Sequence, residues 1–294
     1  MHSEPLGKWL LPNFRVVLAP NRKTLLKTLP SADALITLVT DKVDLTLLRH
    51  APRLKVLGNF GVGTDNVDLK LCKKRGVRVV NTPGVLTRST AELALALTLA
   101  AARRFHEAHQ TILKQNPWRW APDFLLGQEL KGRTSVLVGQ GRIGSETARL
   151  FRAIGMRCIF ITRRDSLASI EKKLKSAQVL SMHLPLTKDT RHWLNRKRIA
   201  LLRKDCIVVN SARGGVVDER ALYSALKKKS IFAAGLDVAE NEPNFSRKLA
   251  KQKNVFLLPH VGSATHRARQ AMAELVCRGV AEIFSGKRPF NQVV

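Results

Sequence analysis

The chain has 294 residues, 45% of them hydrophobic, and a formal net charge of +29. That length suits one large domain or two moderate ones, and the apolar content is ordinary for a globular protein that buries a core. The longest apolar run, 93–102, is too short to span a bilayer, which excludes a membrane-spanning helix. Residues 1–12 lack the basic-then-apolar pattern of a signal peptide, so a cytoplasmic protein is expected. Cys72, Cys158, Cys206 and Cys277 lie far apart with no C-x-x-C pair. They read as buried thiols in a reducing compartment, with no disulfide frame and no metal site. The basic residues are spread along the whole chain, with small clusters at Lys73-Lys74-Arg75, Arg163-Arg164 and Lys227-Lys228-Lys229. None is interleaved with aromatics, so the charge reads as a solvated surface that helps draw in anionic ligands, and a nucleic-acid partner is not expected.

Strands are predicted at 14–18 (FRVVL) and 34–39 (ALITLV), with a short helix between them. A third strand at 54–59 runs into a glycine-rich loop, Phe60-Gly61-Val62-Gly63-Thr64-Asp65, then a helix at 69–75 and a fourth strand at 77–81. This first third is a small α/β unit of its own. A long helix is predicted over 89–110; it is apolar on nearly every side and must be buried on several faces. The stretch 116–126 (NPWRWAPDFLL) is an aromatic, proline-broken loop. From 134 onward strands and helices alternate, which implies a parallel sheet with helices on both faces. A last long helix is predicted at 264–285.

The most informative stretch is 136–144, VLVGQGRIG. A short apolar strand breaks into Gly139, Gly141 and Gly144, and a helical pattern follows. That context makes G-x-G-x-x-G a dinucleotide site. The first glycine permits the tight turn, the second lets a pyrophosphate reach the backbone, and the third lets the helix pack close to the strand. The helix N-terminus, at Arg142 and Ile143, then offers unpaired N–H groups to the phosphates. The next strand, CIFIT, ends in Thr162-Arg163-Arg164, with no carboxylate at its tip for ribose hydroxyls; Asp165 comes three residues late. Arginine binds a 2′-phosphate bidentately where a carboxylate would repel it, so NADP(H) is favoured, with NAD(H) possible. Later strands end in polar residues: His183-Leu184-Pro185, Asn210-Ser211-Ala212-Arg213, Asp237 followed by Glu242, and His260-Val261-Gly262. Ligands bind at the carboxyl ends of such strands, so Arg213, Asp237, Glu242 and His260 are expected to converge.

Four stretches carry a family resemblance: NFGVGTDNVD with NTPGVLTRSTAELA; VGQGRIG; MHLPLT with VVNSARGGVVDE; and LDVAENEP with LPHVGSAT. The chain resembles the D-isomer-specific 2-hydroxyacid dehydrogenases, and WAPDFLLG is similar to their glyoxylate and hydroxypyruvate reductase branch. The amino-terminal region and the segment after Arg164 are shorter than usual for the family. The resemblance implies a Rossmann-type doubly wound parallel sheet domain (87–285, with two bridging helices) inserted into a smaller flavodoxin-like α/β substrate domain (1–86 and 286–294). It implies reduction of a small 2-keto acid, with substrate in a cleft and a homodimer through the nucleotide domain and the 89–110 helix. Arg213, Glu242 and His260 match the family's catalytic set: Arg213 binding the carboxylate, His260 donating the proton, and Glu242 orienting His260 and favouring its charged form. Val62 and Gly63 are expected at the substrate with Arg213 and His260. Cofactor contacts are expected from Thr90, Gly139, Gly141, Arg142, Ile143, Gly144, Thr162, Arg163, Arg164, His183, Pro185, Ser211, Ala212, Asp237 (at the nicotinamide amide) and Gly262. Phosphoglycerate, lactate or another 2-keto acid is the alternative substrate, though no extra C-terminal regulatory domain is seen. A corepressor-like binding protein is the non-enzymatic alternative.

Overall fold

The computed structural model describes residues 13–114 and 117–294; the expectations for residues 1–12 and for Asn116 lie outside them. The chain divides into two compact units, residues 1–86 with 263–294 and residues 87–262.

In the first unit, β1 (Ala34–Leu38), β2 (Val56–Phe60) and β3 (Arg78–Val80) run parallel in the order β1-β2-β3. Helices α1 (Arg22–Thr28), α2 (Leu45–Arg49) and α3 (Leu69–Lys74) alternate with them. Each starts on a side-chain cap, from Asn21, Asp44 and Asp68, that satisfies an orphan N–H of the first turn. The 14–18 stretch is not a strand: Val16, Val17 and Leu18 are exposed, and Phe14 packs edge-on against Phe284. Its β-branched composition had no ladder partner to act on, and strand propensity counts only on a paired, half-buried surface.

The last helix, α11 (His266–Phe284), packs on β2 and β3. Met272, Val276 and Val280 recur at helical spacing on its buried face. Gly58 in β2 gives them room: a Cβ there would fall 2.7 Å from Val276 and 3.3 Å from Val280. This helix was expected within 87–285 as one of two bridging helices; residues 263–294 group with the first unit. The tail then closes on β3 through the Val293 N–H to the Val79 carbonyl, 2.7 Å.

In the second unit six strands run parallel: β4 (Thr134–Val138), β5 (Arg157–Ile161), β6 (Val179–Met182), β7 (Ile207–Asn210), β8 (Ala233–Leu236) and β9 (Val255–Leu257). Their order is β5-β4-β6-β7-β8-β9. The order reverses at β4, and the crevice of such a sheet opens there, outside the carboxyl ends of β4 and β6. Val138 pairs with Met182, Met182 with Asn210, Asn210 with Leu236, and Leu236 with Leu257. The loops after these five strands therefore leave the sheet along one edge.

Helices α4 (Thr87–Ala102), α5 (Phe105–Lys114), α6 (Arg142–Ala153), α7 (Leu167–Ser176), α8 (Arg196–Ile199), α9 (Glu219–Lys227) and α10 (Arg247–Ala250) flank this sheet. The single helix expected over 89–110 is two. Arg104 takes a left-handed φ of 56° between them, and the Gln128 N–H claims the Ala102 carbonyl at 2.9 Å. Gly127 makes this return possible, since a Cβ there would sit 2.5 Å from that carbonyl oxygen. As expected, α4 is buried on several sides, through Thr90, Ala94, Leu97, Thr98 and Ala101. No helix among the described residues is long and apolar enough to cross a membrane.

Candidate active site

The glycine turn after β4 shows three different constraints. Gly139 has φ 107°, and a Cβ on it would meet the His183 carbonyl oxygen at 2.5 Å. Only glycine suits that backbone. A Cβ on Gly144 would lie 2.2 Å from the Gly139 oxygen, so the third glycine sets how closely α6 approaches the turn. Gly141 differs: nothing lies within 4 Å of its Cβ position, and it caps α6 with no side-chain bond. Two glycines are demanded by packing, and the middle one faces open space over an uncapped helix N-terminus. That is a cradle for an anionic group.

At the neighbouring strand end, the His183 N–H donates to the Val138 carbonyl at 2.8 Å and its Nε2 lies 2.9 Å from Ser181 Oγ. Burial pushes the His183 imidazole down to about 4. Pro185 offers its carbonyl to the Thr190 hydroxyl at 2.6 Å. After β7, Ala212 N–H is held by Asn210 Oδ1 at 3.0 Å, while Ser211 Oγ is buried with no partner. An orphaned hydroxyl on this edge is a donor waiting for a ligand. The cradle and this hydroxyl fit a dinucleotide.

After β5, Thr162 N–H and hydroxyl both bond Asp165 Oδ2, and Asp165 also pairs with Lys173 and Ser169. These contacts hold the Asp165 carboxyl far below the usual carboxylate range. The late acidic residue is thus consumed in its own turn. Arg163 and Arg164 are exposed and make no ion pair among the described residues.

Beyond β8 the structure joins two of the expected residues: His260 Nδ1 lies 2.7 Å from Glu242 Oε2. Glu242 Oε1 accepts the Ala239 N–H at 3.0 Å, which fixes the carboxylate. His260 has φ 54°, a left-handed conformation unusual outside glycine, and its N–H is tied to the Asp237 carbonyl at 2.7 Å. Strain of this kind persists where surrounding structure over-determines it, often at functional sites. Asp237 is fully buried, and its two carboxylate oxygens accept the N–H groups of Val261 and Gly262 at 2.7 and 2.8 Å. Burial raises its pKa, against the two amides. Its evident work is to hold the His260 loop. Thr90 joins the same corner through a 3.3 Å bond to the Gly262 carbonyl. Arg213 precedes the tight 3-10 turn Gly214–Val216, with Nη1 on the Ala212 carbonyl at 2.8 Å. In the first unit, the carbonyls of Val62 and Gly63 are taken by Asn81 and Asn59 side chains at 2.8 and 2.7 Å. Neither carbonyl is left bare in this glycine-rich loop.

Sequence reasoning missed His192, Glu240 and Glu219. His192 Nε2 lies 2.5 Å from Glu240 Oε1, and Glu240 N–H donates to Glu219 Oε1 at 2.6 Å. No motif of fixed spacing joins them; the left-handed φ of His192 (50°) is the structural sign.

In sequence and fold the chain is similar to known proteins. Residues 95–262 match the model of the D-isomer specific 2-hydroxyacid dehydrogenase, NAD binding domain. A glyoxylate reductase of Thermococcus litoralis is 44% identical over 290 residues, covering 94% of this chain and 87% of its own. A crystal structure of a Thermus thermophilus protein superposes with a TM-score of 0.89 at 38% identity, over 99% of this chain and 96% of that one. An NADPH-dependent glyoxylate/hydroxypyruvate reductase from Sinorhizobium meliloti, in complex with NADP and malonate, has a TM-score of 0.80 at 33% identity over 90% and 85%. The chain belongs to the D-isomer specific 2-hydroxyacid dehydrogenase family. It is an oxidoreductase with a nicotinamide dinucleotide as cofactor.

Proposed function

We propose that this chain reduces a small 2-keto acid, glyoxylate or hydroxypyruvate, to the D-2-hydroxy acid, with NADPH preferred. The observation that carries the reading is the 2.7 Å His260–Glu242 pair on the sheet edge that also bears the glycine cradle and Arg213. Glyoxylate is the substrate of the relatives' names.

Arg213 is always charged, and its fork suits a carboxylate beside a ketone oxygen. When bound, the reduced nicotinamide supplies a hydride to the keto carbon. Glu242 occupies His260 Nδ1, which leaves Nε2 to give its proton to the ketone oxygen. Glu242 also fixes the ring's orientation, and Asp237 fixes the backbone beneath it. Gly141 and the first amides of α6 would hold the cofactor pyrophosphate, and Ser211 Oγ would donate to it or to its ribose. In the first unit, the N–H groups around Val62 and Gly63 suit a carboxylate. Arg163 and Arg164 suit a 2′-phosphate, because Asp165 is turned away to Lys173.

The chain works as a homodimer in a reducing, cytoplasmic compartment. The supports are four cysteines that form no disulfide and an unburied apolar surface of Phe105, Ile112, Leu113, Trp118, Trp120 and Leu126. Initial rates over a panel of 2-keto acids with each cofactor test the reading. Glyoxylate or hydroxypyruvate with NADPH is expected to give the highest kcat/KM. Arg163→Ala is expected to weaken NADPH about tenfold more than NADH. A pyruvate or phosphorylated keto acid in first place would overturn the substrate, and equal losses for both cofactors would overturn the 2′-phosphate role.

A further inference from the structure

We infer that His192 and Glu240 are a positioning pair that locks the Arg213 loop to the Glu242 loop, making the mutual placement of the reacting residues depend on one imidazole–carboxylate bond. The inference rests on the assignment of Arg213, Glu242 and His260 above.

Three loops on the carboxyl edge meet here. His192 grips two of them. Its backbone N–H donates to the Gly215 carbonyl at 2.8 Å, two residues beyond Arg213. Its ring Nε2 reaches Glu240 Oε1 at 2.5 Å, two residues before Glu242. The left-handed φ of 50° lets one residue do both. The segment then continues beside the Arg213 loop: Leu194 N–H donates to the Val216 carbonyl at 3.0 Å, and Asp218 N–H returns to the Leu194 carbonyl at 3.1 Å.

The two gripped loops touch directly at one glycine. A Cβ on Gly214 would lie 1.9 Å from the Ala239 carbonyl and 2.4 Å from the Glu240 nitrogen. Backbone therefore lies against backbone between Arg213 and Glu240. Such a contact limits approach but offers no hold of its own against sliding, and the His192–Glu240 bond supplies one. Glu240 is steadied from behind by its N–H on Glu219 Oε1 at 2.6 Å, with the Arg191 guanidinium 3.8 Å from Oε1.

Stability alone does not account for the pair. The His192 side chain is 38% exposed and that of Glu240 20%, and ion pairs that open to water contribute little to folding. Misplacement of catalytic groups by even an ångström, in contrast, is heavily penalised in rate. The pair's effect should therefore appear in catalysis with the fold intact.

The test is steady-state kinetics of the full-length protein with glyoxylate, together with cofactor titration and thermal melts, for His192→Ala, Glu240→Ala, their double variant and His192→Gln. His192→Ala is expected to lower kcat/KM for the keto acid about tenfold or more, with cofactor Kd within about twofold of the parent. Its Tm should stay within about 3 °C. The double variant should be no worse than either single one, and His192→Gln, which keeps a donor, should recover most of the loss. A kcat/KM within about twofold of the parent in His192→Ala, additive losses in the double variant, or a fall in activity that tracks Tm would overturn the inference. A parent chain inactive on every 2-keto acid would instead overturn the functional reading on which it rests.

Discussion

His183 shows how one residue's burial becomes a property of the protein. Its imidazole is held neutral because burial disfavours the charged form, lowering its pKa from 6.5 to about 4. In the unfolded chain the same ring takes up a proton near 6.5, so the unfolded state binds more protons between the two values. The contribution is fully present above pH 6.5 and is lost as the pH falls towards 4. Melts of the parent between pH 7 and 4 should lose more stability than those of His183→Asn, by an amount of the order of 3 kcal/mol at most. Parallel curves for the two proteins would contradict the account. Single residues also mark what a sequence reveals. Arg213, Glu242 and His260 stand out because each follows a strand in a polar cluster. His192 and Glu240 do not, because their work runs through a backbone carbonyl and a left-handed φ that no side-chain pattern encodes.

The glycine turn and α6 belong to the scale of elements. The same residue type serves packing at Gly144 and ligand access at Gly141, and the two separate by substitution. Gly144→Ala drives a methyl to 2.2 Å from the Gly139 oxygen, so a several-degree fall in Tm is expected, with cofactor binding lost alongside. Gly141 has an ordinary extended backbone (φ −79°) and open space around it. Gly141→Ala should melt like the parent yet bind cofactor about tenfold or more weakly, since the new methyl stands where the pyrophosphate approaches. Calorimetry and cofactor titration of both variants check this; a Gly141→Ala protein with parental affinity would remove the pyrophosphate from that turn. Elements whose pattern was complete in the local sequence, such as β4, α6 and the Val179–Met182 strand, were legible. The break between α4 and α5 was not, because its cause is the distant Gln128 N–H on the Ala102 carbonyl. The 14–18 stretch misled for the same reason: its composition suits a strand, and its exposure reflects a missing neighbour.

For the whole molecule, charge and exposed apolar surface describe different partners. A net charge of +29 spread over the chain favours anionic small molecules through a general positive potential. The apolar residues of α5 and the loop after it are gathered in one stretch, and Trp118 stacks on Phe124 at 6.1 Å within it. For the proposed homodimer, the parent should have a dimer's mass in solution, and replacing Ile112 and Leu113 by Ser should shift it towards monomer at micromolar concentration; a monomeric parent would contradict the dimer, and an unchanged dimer mass in the variant would contradict this contact. The last helix shows the limit of sequence at this scale. Its apolar period was plain, but its seat on β2 was not, because that depends on the complementary gap at Gly58, far away in sequence.

In the proposed reaction His260, held by Glu242, delivers the proton. Turnover of glyoxylate by His260→Ala, measured beside its affinity for NADPH, tests it most directly. Its kcat is expected to be lower by about a thousandfold or more, with NADPH affinity within about twofold of the parent. A variant that turns over at near-parental rate, with the same cofactor affinity, would contradict it.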